Sequence, residues 1–378
     1  MIVLLGAGAS AAFGIPTTRP FVSTVKERLN AMRTFMDGRA GEKDKLFDII
    51  EQGMADFPLN FDLEVLMTVL SDLSMGKDDL LRAMSPYTAF LFIFRKLELP
   101  IDPKLRSAAQ DLLSEVKEIV REKCLAPLRA PNPNILAAFD LLMHDLVEGS
   151  KATKFRSEDE CVEYPVGLKV YTTNYDTTFE AYLSNRSIPY NKGIAAKYGY
   201  YVLDLEEYSR RNDKQVRLVK LHGSLDLFWT TDGNIVHLPV PKVRQDEIKD
   251  EVTTYGKKIR EEFMVYPTEI GGYNYVAVSP FSDMLRMLRA DASDDRYWII
   301  IGSSLRDITI ASLLNDLIRR MEPVRRSLQK VIIQAKEPDQ ILERLRSAGY
   351  TLLADVATPL KADFGEQGLA DVLLQKKE

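Results

Sequence analysis

The sequence of 378 residues is poor in the side chains that bind structural metals or form disulfides, with two cysteines and three histidines. Cys124 and Cys161 stand far apart, and neither belongs to a spacing that is typical of a zinc site. This scarcity excludes a four-cysteine zinc module and a scaffold held by disulfides. We therefore expect no metal ion, and so few cysteines are typical of a protein in a reducing cytoplasm.

The chain also lacks a long hydrophobic segment and a strong excess of either charge. An apolar run at residues 87–94 ends at Arg95, far short of the length that crosses a bilayer. Met1 is followed directly by the apolar Ile2–Leu5 with no basic segment, so we expect no secretory signal, no membrane association and a cytoplasmic location. The net charge of −5 argues against nucleic-acid binding over the whole surface, and no direct nucleic-acid partner is expected.

What the sequence does contain is ample apolar material, arranged in alternating strand and helix patterns. Hydrophobic residues make up 46% of the chain, and its length exceeds the ~250–300 residues at which a single core stops growing. Strand signals lie at residues 2–5, 168–171, 217–221, 297–301 and 331–335. Because strands that alternate with helices form open parallel sheets, we predict an α/β fold with a doubly wound, Rossmann-like parallel sheet.

A long stretch without strand signals interrupts this pattern. Its amphipathic helical spacing is clearest at residues 61–73, 80–97, 102–120 and 135–147. We predict a helical insertion domain at residues 43–150, with residues 1–42 and 151–378 forming the nucleotide-binding domain. Nearer the C-terminus we expect a charged helix near residues 244–260, a helix at residues 338–348 and a strand at residues 351–354.

Four of the predicted strands are followed by short polar or glycine-rich loops. Because ligands of open α/β sheets bind beyond the carboxyl ends of the strands, these loops should meet around one site. The first, Gly6-Ala7-Gly8-Ala9-Ser10-Ala11, fits the loose G-x-G-x-x-G/A pattern, in which glycines let backbone amides approach a phosphate. A tight turn without a ligand is the alternative. An acidic residue about 20 positions later that would bind a ribose is not evident, which argues against an ordinary dehydrogenase.

The second loop contains Thr173, Asn174 and Asp176, directly after a strand. The carboxamide of Asn174 offers both a donor and an acceptor, which suits it to hold a ribose hydroxyl or to orient a water molecule. The structural alternative is that Thr177 and Glu180 form a capping box and that Asp176 favours the dipole of the following helix.

The third loop begins with His222, at the carboxyl end of another strand. An imidazole that titrates near neutrality can polarise a ribose hydroxyl, although a hydrogen-bonded loop histidine is the alternative. The fourth loop contains Gly302, Ser303 and Ser304, whose hydroxyls can bond phosphate or ribose oxygens. We expect Asp307, at its end, to cap the next helix rather than to contact a ligand.

Together these motifs resemble those of the SIR2-like family, the sirtuin-related proteins that consume NAD. They are, in order, GAGAS at residues 6–10, GIP at residues 14–16, TTNYD at residues 172–176, HGS at residues 222–224 and GSSLRD at residues 302–307. The resemblance implies that the first and last loops bind NAD together with Thr173. It also implies that Asn174 and His222 form the catalytic pair, and we expect Asp176 to orient the loop.

The resemblance further implies an activity. The GSSLRD form is nearer to the bacterial and archaeal SIR2-like defence proteins than to the protein deacylases, whose zinc cysteines are missing here. The long helical stretch is similar to that of SIR2-like NADases. We therefore expect an NAD glycohydrolase that cleaves NAD to nicotinamide and ADP-ribose and depletes NAD in anti-phage defence. An NAD-dependent protein-lysine deacylase and a non-catalytic nucleotide-binding regulatory subunit are the alternatives.

An enzyme that depletes the NAD of its own cell is toxic to that cell, so we expect its activity to be controlled. In defence systems that this chain resembles, the SIR2-like protein is paired with a HerA-type ATPase, a short Argonaute or a ligand-sensing domain. The sequence shows no sensor domain of its own, so we expect a separate partner, with a HerA-type ATPase as the first candidate. We also expect a homo-oligomer formed through the apolar helical stretch. The arginine pairs Arg319-Arg320 and Arg325-Arg326 are expected to be a solvated helix end rather than a nucleic-acid contact.

Overall fold

At the centre of the fold is a sheet of seven strands that all run parallel. The computed structural model describes residues 1–35, 42–55, 61–74, 103–128, 133–197, 199–210, 212–239, 242–254, 256–265, 279–321 and 330–375. The strands are β1 (Ile2–Leu5), β2 (Lys154–Arg156), β3 (Glu163–Pro165), β4 (Lys169–Thr172), β5 (Tyr190–Asn191), β6 (Ile194–Lys197), β7 (Tyr200–Leu203), β8 (Val216–Lys220), β9 (Gly223–Thr230), β10 (Ile235–His237), β11 (Ile259–Met264), β12 (Tyr297–Ile301), β13 (Lys330–Ala335) and β14 (Ala357–Lys361). The order across the parallel sheet is β14-β13-β12-β1-β4-β8-β5, which confirms the predicted α/β fold.

Helices surround this sheet. The described ones are α1 (Ala7–Ala11), α2 (Thr18–Phe35), α3 (Glu42–Ala55), α4 (Leu63–Ser74), α5 (Pro103–Leu125), α6 (Pro133–Ser150), α7 (Thr178–Asn185), α8 (Leu205–Ser209), α9 (Gln245–Thr254), α10 (Phe281–Asp294), α11 (Ile308–Met321), α12 (Pro338–Ser347), α13 (Thr351–Val356) and α14 (Leu369–Leu374). None of these described helices has the length and apolar composition that crossing a membrane requires. The predicted helix at residues 80–97 lies outside the described residues.

Both faces of the sheet are covered because its central strands are apolar at every position. In β1, Ile2 and Leu4 belong to one core, while Val3 and Leu5 belong to the other. The first core includes side chains of α10, α11, α12 and α13, and the second includes side chains of α6, α7 and α14. Continuous burial of this kind is typical of parallel strands that lie between two layers of helices.

The strand order places the predicted loops side by side. β1 lies in the middle of the sheet, between β12 and β4, and β4 in turn pairs with β8. The chain therefore leaves β1 toward one side of the sheet and later returns to the other side, which creates a topological switch point. The loops after β1, β4, β8 and β12 emerge together at this edge.

A second sheet, of five antiparallel strands in the order β11-β9-β10-β7-β6, shares the first core through Leu227, Ile235 and Phe263. The sequence patterns did not predict it. The charged helix expected near residues 244–260 is helical only as α9, and Ile259–Met264 forms strand β11 instead. Pairing with β9 and full burial of Phe263 outweigh the local charge pattern, because strand formation depends strongly on tertiary contacts.

The C-terminal strand is also not where the sequence predicts it. Residues 351–354 lie in helix α13, and the strand that follows is β14. The N–H of Leu353 donates to the Oδ1 atom of Asn315 on α11 at 3.0 Å, and Leu353 is fully buried, so tertiary contacts favour the helix. β14 contains Pro359, which the sheet accommodates because β14 is an edge strand.

A third core is formed mainly by helices. It contains side chains of α2, α3, α4 and α5, with Leu225 of β9 at its border. Helix α6, by contrast, packs in the second core of the sheet. Helix α2, which precedes the predicted start of the insertion at residue 43, thus packs with the other helices. Helix α6, which precedes its predicted end at residue 150, packs against the sheet. The division into two domains stays a prediction.

Candidate active site

A cavity of about 920 Å³ lies at the carboxyl edge of the parallel sheet. Most of the predicted site residues line it. They are Gly6, Ala7, Gly8, Thr173, His222, Gly302, Ser303 and Ser304. The four loops therefore do surround one cavity, whose volume is in the range of small-molecule and cofactor sites. Ala9, Ser10, Asn174 and Asp176 are not among the lining residues; Ala9, Ser10 and Asp176 are buried, and Asn174 is half-buried.

The loops after β1 and β12 touch each other backbone to backbone. The N–H of Gly8 donates to the carbonyl of Gly302 at 2.7 Å, and the N–H of Gly6 donates to the carbonyl of Ile301 at 2.9 Å. Gly302 has a φ of +61°, and a Cβ atom there would lie 2.2 Å from the nitrogen of Ala9. The site thus needs glycine at this position both for its backbone conformation and for the close contact.

These contacts involve the backbone amides that were predicted to bind a phosphate, and that role stays a prediction. The N–H groups of Gly6, Gly8 and Ala9 all donate to protein carbonyls, so they are engaged in holding the loops together. Positive charge is supplied instead by side chains around the cavity. These are Arg19, Arg306, Lys336 and Arg344. Guanidinium and ammonium groups can meet the charge of a phosphate group through charge-assisted hydrogen bonds.

Asn174 is held in one orientation by the first loop. Its Nδ2 atom donates to the carbonyl of Gly6 at 3.0 Å and to the Oγ atom of Ser10 at 2.8 Å. Because a carbonyl can only accept, the nitrogen must be the atom that faces Gly6. The amide oxygen is therefore the atom left to accept a hydrogen bond from a ribose hydroxyl or a water molecule.

Asp176 fixes Asn174 through Ser10. The hydroxyl of Ser10 donates to Oδ2 of Asp176 at 2.7 Å, so Ser10 has a protein partner on each side. The side chain of Ser10 is buried and accepts a hydrogen bond from Asn174, and its contact with NAD stays a prediction. The orienting role expected of Asp176 stays a prediction.

The expected capping box does not form. Thr177 precedes α7 but its side chain makes no capping hydrogen bond. Asp176 takes that place, because its Oδ1 atom accepts from the N–H of Thr178 at 3.0 Å. Glu180 forms an ion pair with Lys220 at 3.3 Å, and the Nζ atom of Lys220 also donates to the carbonyl of Asp176. The TTNYD loop is thereby attached to β8 beneath the cavity.

His222 pairs with a carboxylate that the sequence assigned to a different role. Its Nε2 atom lies 2.9 Å from Oδ2 of Asp307, and both side chains are buried. Asp307 also caps α11 as predicted, because its Oδ1 atom accepts from the N–H of Thr309 at 2.8 Å. A carboxylate fixed in this way holds the imidazole with its proton on Nε2. The pairing joins residues 85 positions apart, and no local pattern indicates it.

The helical layer contributes a group of charged residues that sequence analysis missed. Glu64, in the first turn of α4, and Arg19, from α2, line the cavity together with His222. Asp62 caps α4 by accepting from the N–H of Val65 at 3.1 Å and forms an ion pair with Arg306 at 3.2 Å. The GSSLRD loop and the helical layer are thus joined directly.

The two acidic residues of this group have unusual protonation properties. Burial raises the pKa of Glu64 to about 8, and the negative charges of Asp62 and Asp307 add to the shift. Burial also raises the pKa of Asp62, which its hydrogen bond to Val65 and the charge of Arg306 oppose. Carboxyl groups with raised pKa values in a cleft are typical of functional sites.

The remaining histidines and cysteines lie away from this cavity. His144 is an exposed residue of α6, and His237 is buried against Asp226 at 3.0 Å. Cys124 is buried and Cys161 is exposed, each with a free thiol. Within the described part of the chain, no group of three or more His, Cys, Asp or Glu side chains could hold a metal ion.

The comparison with known families agrees with the arrangement of these loops. Residues 168–353 match the family model described as the SIR2-like domain, which supports the SIR2-like resemblance of the chain. The match spans slightly less than half of the 378 residues and includes Asn174, His222 and the GSSLRD loop. The GAGAS loop lies outside it, and the structure is what brings that loop to the same cavity. A comparison with curated proteins gives no match.

Proposed function

We propose that the protein is an NAD glycohydrolase that cleaves NAD to nicotinamide and ADP-ribose. SIR2-like domains are typically NAD-dependent enzymes, which agrees with a nucleotide-sized cavity at a switch point. The observation that supports hydrolysis most is the pairing of His222 with Asp307 in the lining of the cavity, which also contains Thr173, the neighbour of Asn174. His222 can act as a base, and the amide oxygen of Asn174 can act as a fixed hydrogen-bond acceptor.

The chemistry requires positioning more than a strong nucleophile. The nicotinamide ring of NAD is cationic, so breaking its bond to the ribose carbon returns an electron pair to the ring nitrogen and neutralises it. The oxygen of a water molecule then bonds to that carbon and loses its proton. Asn174 Oδ1 orients the water or a ribose hydroxyl, and His222 accepts the proton while Asp307 stabilises the resulting imidazolium.

The test of this proposal is the release of nicotinamide and ADP-ribose from NAD by the purified full-length chain, followed by chromatography. We expect release without any acylated peptide, and no effect of a zinc-selective chelator. A requirement for an acylated lysine peptide would identify a deacylase instead. Loss of cleavage with the chelator and its recovery with zinc would contradict the metal-free mechanism. Binding of NAD without cleavage under every condition, including the presence of the neighbouring gene product, would identify a regulatory subunit.

We further propose that the activity serves anti-phage defence and is restrained by assembly. The proposal rests on the resemblance of the motifs to those of SIR2-like defence proteins and on the four helices that form a core of their own. The partner proposed first is a HerA-type ATPase encoded nearby. The proposed setting is the cytoplasm, where NAD is the substrate to be depleted.

We expect light scattering to show a homo-oligomer, and NAD turnover to rise when the partner or the assembled state is present. The physical reason is that Glu64 and Arg19 of the cavity wall come from the helical layer, so contacts on that layer can change the cavity. The measurement compares nicotinamide release before and after fractionation by size. A strict monomer with full turnover and no partner would contradict the expectation.

A further inference from the structure

One carboxyl group on the cavity has no role in the mechanism above. Glu64 lines the cavity together with His222 and Thr173. Among the described residues its carboxyl group forms no hydrogen bond and no ion pair, and the influences on it are burial and the charges of neighbours. An ionised carboxylate without a partner is costly in such a place, so a cationic ligand would be favoured there.

The charged groups around Glu64 set the sign of the local potential. Asp62 caps the same helix, and Asp307 and Arg306 come from the loop after β12. Arg306 is paired with Asp62 at 3.2 Å, and Asp307 lies 2.9 Å from His222. Arg19 also lines the cavity. Because three carboxyl groups face two arginines and Arg306 is already paired, the region next to His222 accepts a positive charge.

We propose that Glu64 is the counter-charge of the cationic nicotinamide ring and selects oxidised NAD over NADH. This inference rests on the proposed function, because it places the reacting ring beside His222. Oxidised NAD carries a positive charge on the ring nitrogen, whereas the ring of NADH is neutral. When NAD binds, the Glu64 carboxyl group releases its proton to solvent and the carboxylate faces the ring. After cleavage the nicotinamide is neutral, so Glu64 takes up a proton again and the attraction is lost.

The raised pKa of Glu64 also predicts a change in stability with pH. In the unfolded chain Glu64 has the ordinary pKa of about 4.3, whereas the folded value is about 8. The folded state therefore binds more protons between these values, and the contribution of Glu64 to stability falls as the pH rises through this window. We expect Glu64→Gln to melt at a higher temperature than the parent at pH 8 and to differ little near pH 4.

The binding test uses calorimetry with NAD, NADH and ADP-ribose in an Asn174→Ala background, which prevents turnover. Titrations at pH 7 in two buffers of different ionisation enthalpy count the protons released. We expect NAD to release close to one proton, and NADH and ADP-ribose to release none. Glu64→Gln should abolish this release and weaken NAD binding by about tenfold, which corresponds to one pKa unit of interaction, while NADH binding stays nearly unchanged.

Two further variants separate charge from structure. Glu64→Asp keeps a carboxyl group and should retain the proton release and the preference for NAD. Glu51→Gln removes a carboxylate from the exposed pair with Lys26 on the same helical layer and should behave like the parent. Equal weakening of NAD and NADH by Glu64→Gln, or NAD binding without proton release in the parent, would overturn the counter-charge role while leaving the proposed function standing. Failure of the parent to bind NAD at all would overturn both.

Discussion

Replacing His222 or Asn174 by alanine is expected to lower NAD cleavage by at least about a hundredfold, the effect typical of removing an acid–base or positioning group. His222→Ala removes the base whose Nε2 atom is fixed by Asp307 at 2.9 Å. Asn174→Ala removes the amide that Gly6 and Ser10 hold in one orientation. Binding of NAD should survive better than cleavage, because the glycine loop and Ser303 remain in place.

The structure changes what these variants should do to stability. From sequence alone, loops at strand ends predict little effect, but His222 is 3% exposed and its loss leaves the buried Asp307 carboxylate short of a partner. We therefore expect His222→Ala to lose about 1–3 kcal/mol of stability, as for a buried acceptor that loses its donor. His222→Gln supplies an N–H donor and should be less destabilised yet equally inactive.

The measurement is nicotinamide release alongside thermal melting of each variant. His144→Ala serves as the matched control, because its side chain is 68% exposed on α6. Asn185→Ala plays the same part for Asn174, since Asn185 is exposed at the end of α7. A folded His222→Gln or Asn174→Ala protein that still cleaves NAD at close to the parental rate would show that the catalytic assignment is wrong.

Gly302→Ala is expected to abolish NAD binding and to destabilise the fold. A methyl group at this position would lie 2.2 Å from the nitrogen of Ala9 and 2.5 Å from the carbonyl carbon of Gly8, and backbone atoms cannot rotate away. The φ of +61° adds about 1–2 kcal/mol of strain for a residue with a Cβ atom, and overpacking adds about 1–3 kcal/mol. The two loops must separate, and the cavity between them changes shape.

Gly256→Ala is a control that separates the backbone strain of a positive φ from the steric clash between the two loops. Gly256 has a φ of +68°, close to that of Gly302, but no heavy atom lies within 4 Å of its Cβ position. We expect Gly256→Ala to lose only the small backbone contribution and to keep NAD binding. The measurements are the melting temperature and the NAD affinity of both variants. Equal losses in Gly302→Ala and Gly256→Ala would mean that the contact between the loops is unimportant.

The sequence predicts the parallel sheet well because its central strands are apolar on both faces. An apolar run that is followed by a glycine and a helix predicts a buried strand. Such a run is formed by Trp298, Ile299, Ile300 and Ile301, and β12 forms there. β14 was missed for the opposite reason, since an edge strand with Pro359 and exposed positions has no strong pattern. Burial on both sides creates a sequence signal, and a half-solvated edge does not.

The residues of the candidate site also fall into those that the sequence predicts and those that it does not. Loops that directly follow strong strands, such as those with His222 and Gly302, are found because the strands can be found. Asp307 could be predicted as a helix cap from local spacing, but its bond to His222 depends on the distance between two strand ends in space. Glu64 reaches the cavity from a separate helical core, so nothing in its neighbourhood along the chain marks it.

The ion pair between Asp62 and Arg306 has a thermodynamic consequence. It joins the N-terminal end of α4 to the loop that carries Asp307, the partner of His222. Under the proposed function, we expect a molecule that binds the helices and alters this contact to change the affinity for NAD by some factor. By reciprocity, NAD must change the affinity for that molecule by an equal factor. A fall in the NAD concentration would then change how tightly the helices bind that molecule, without any separate receptor for NAD.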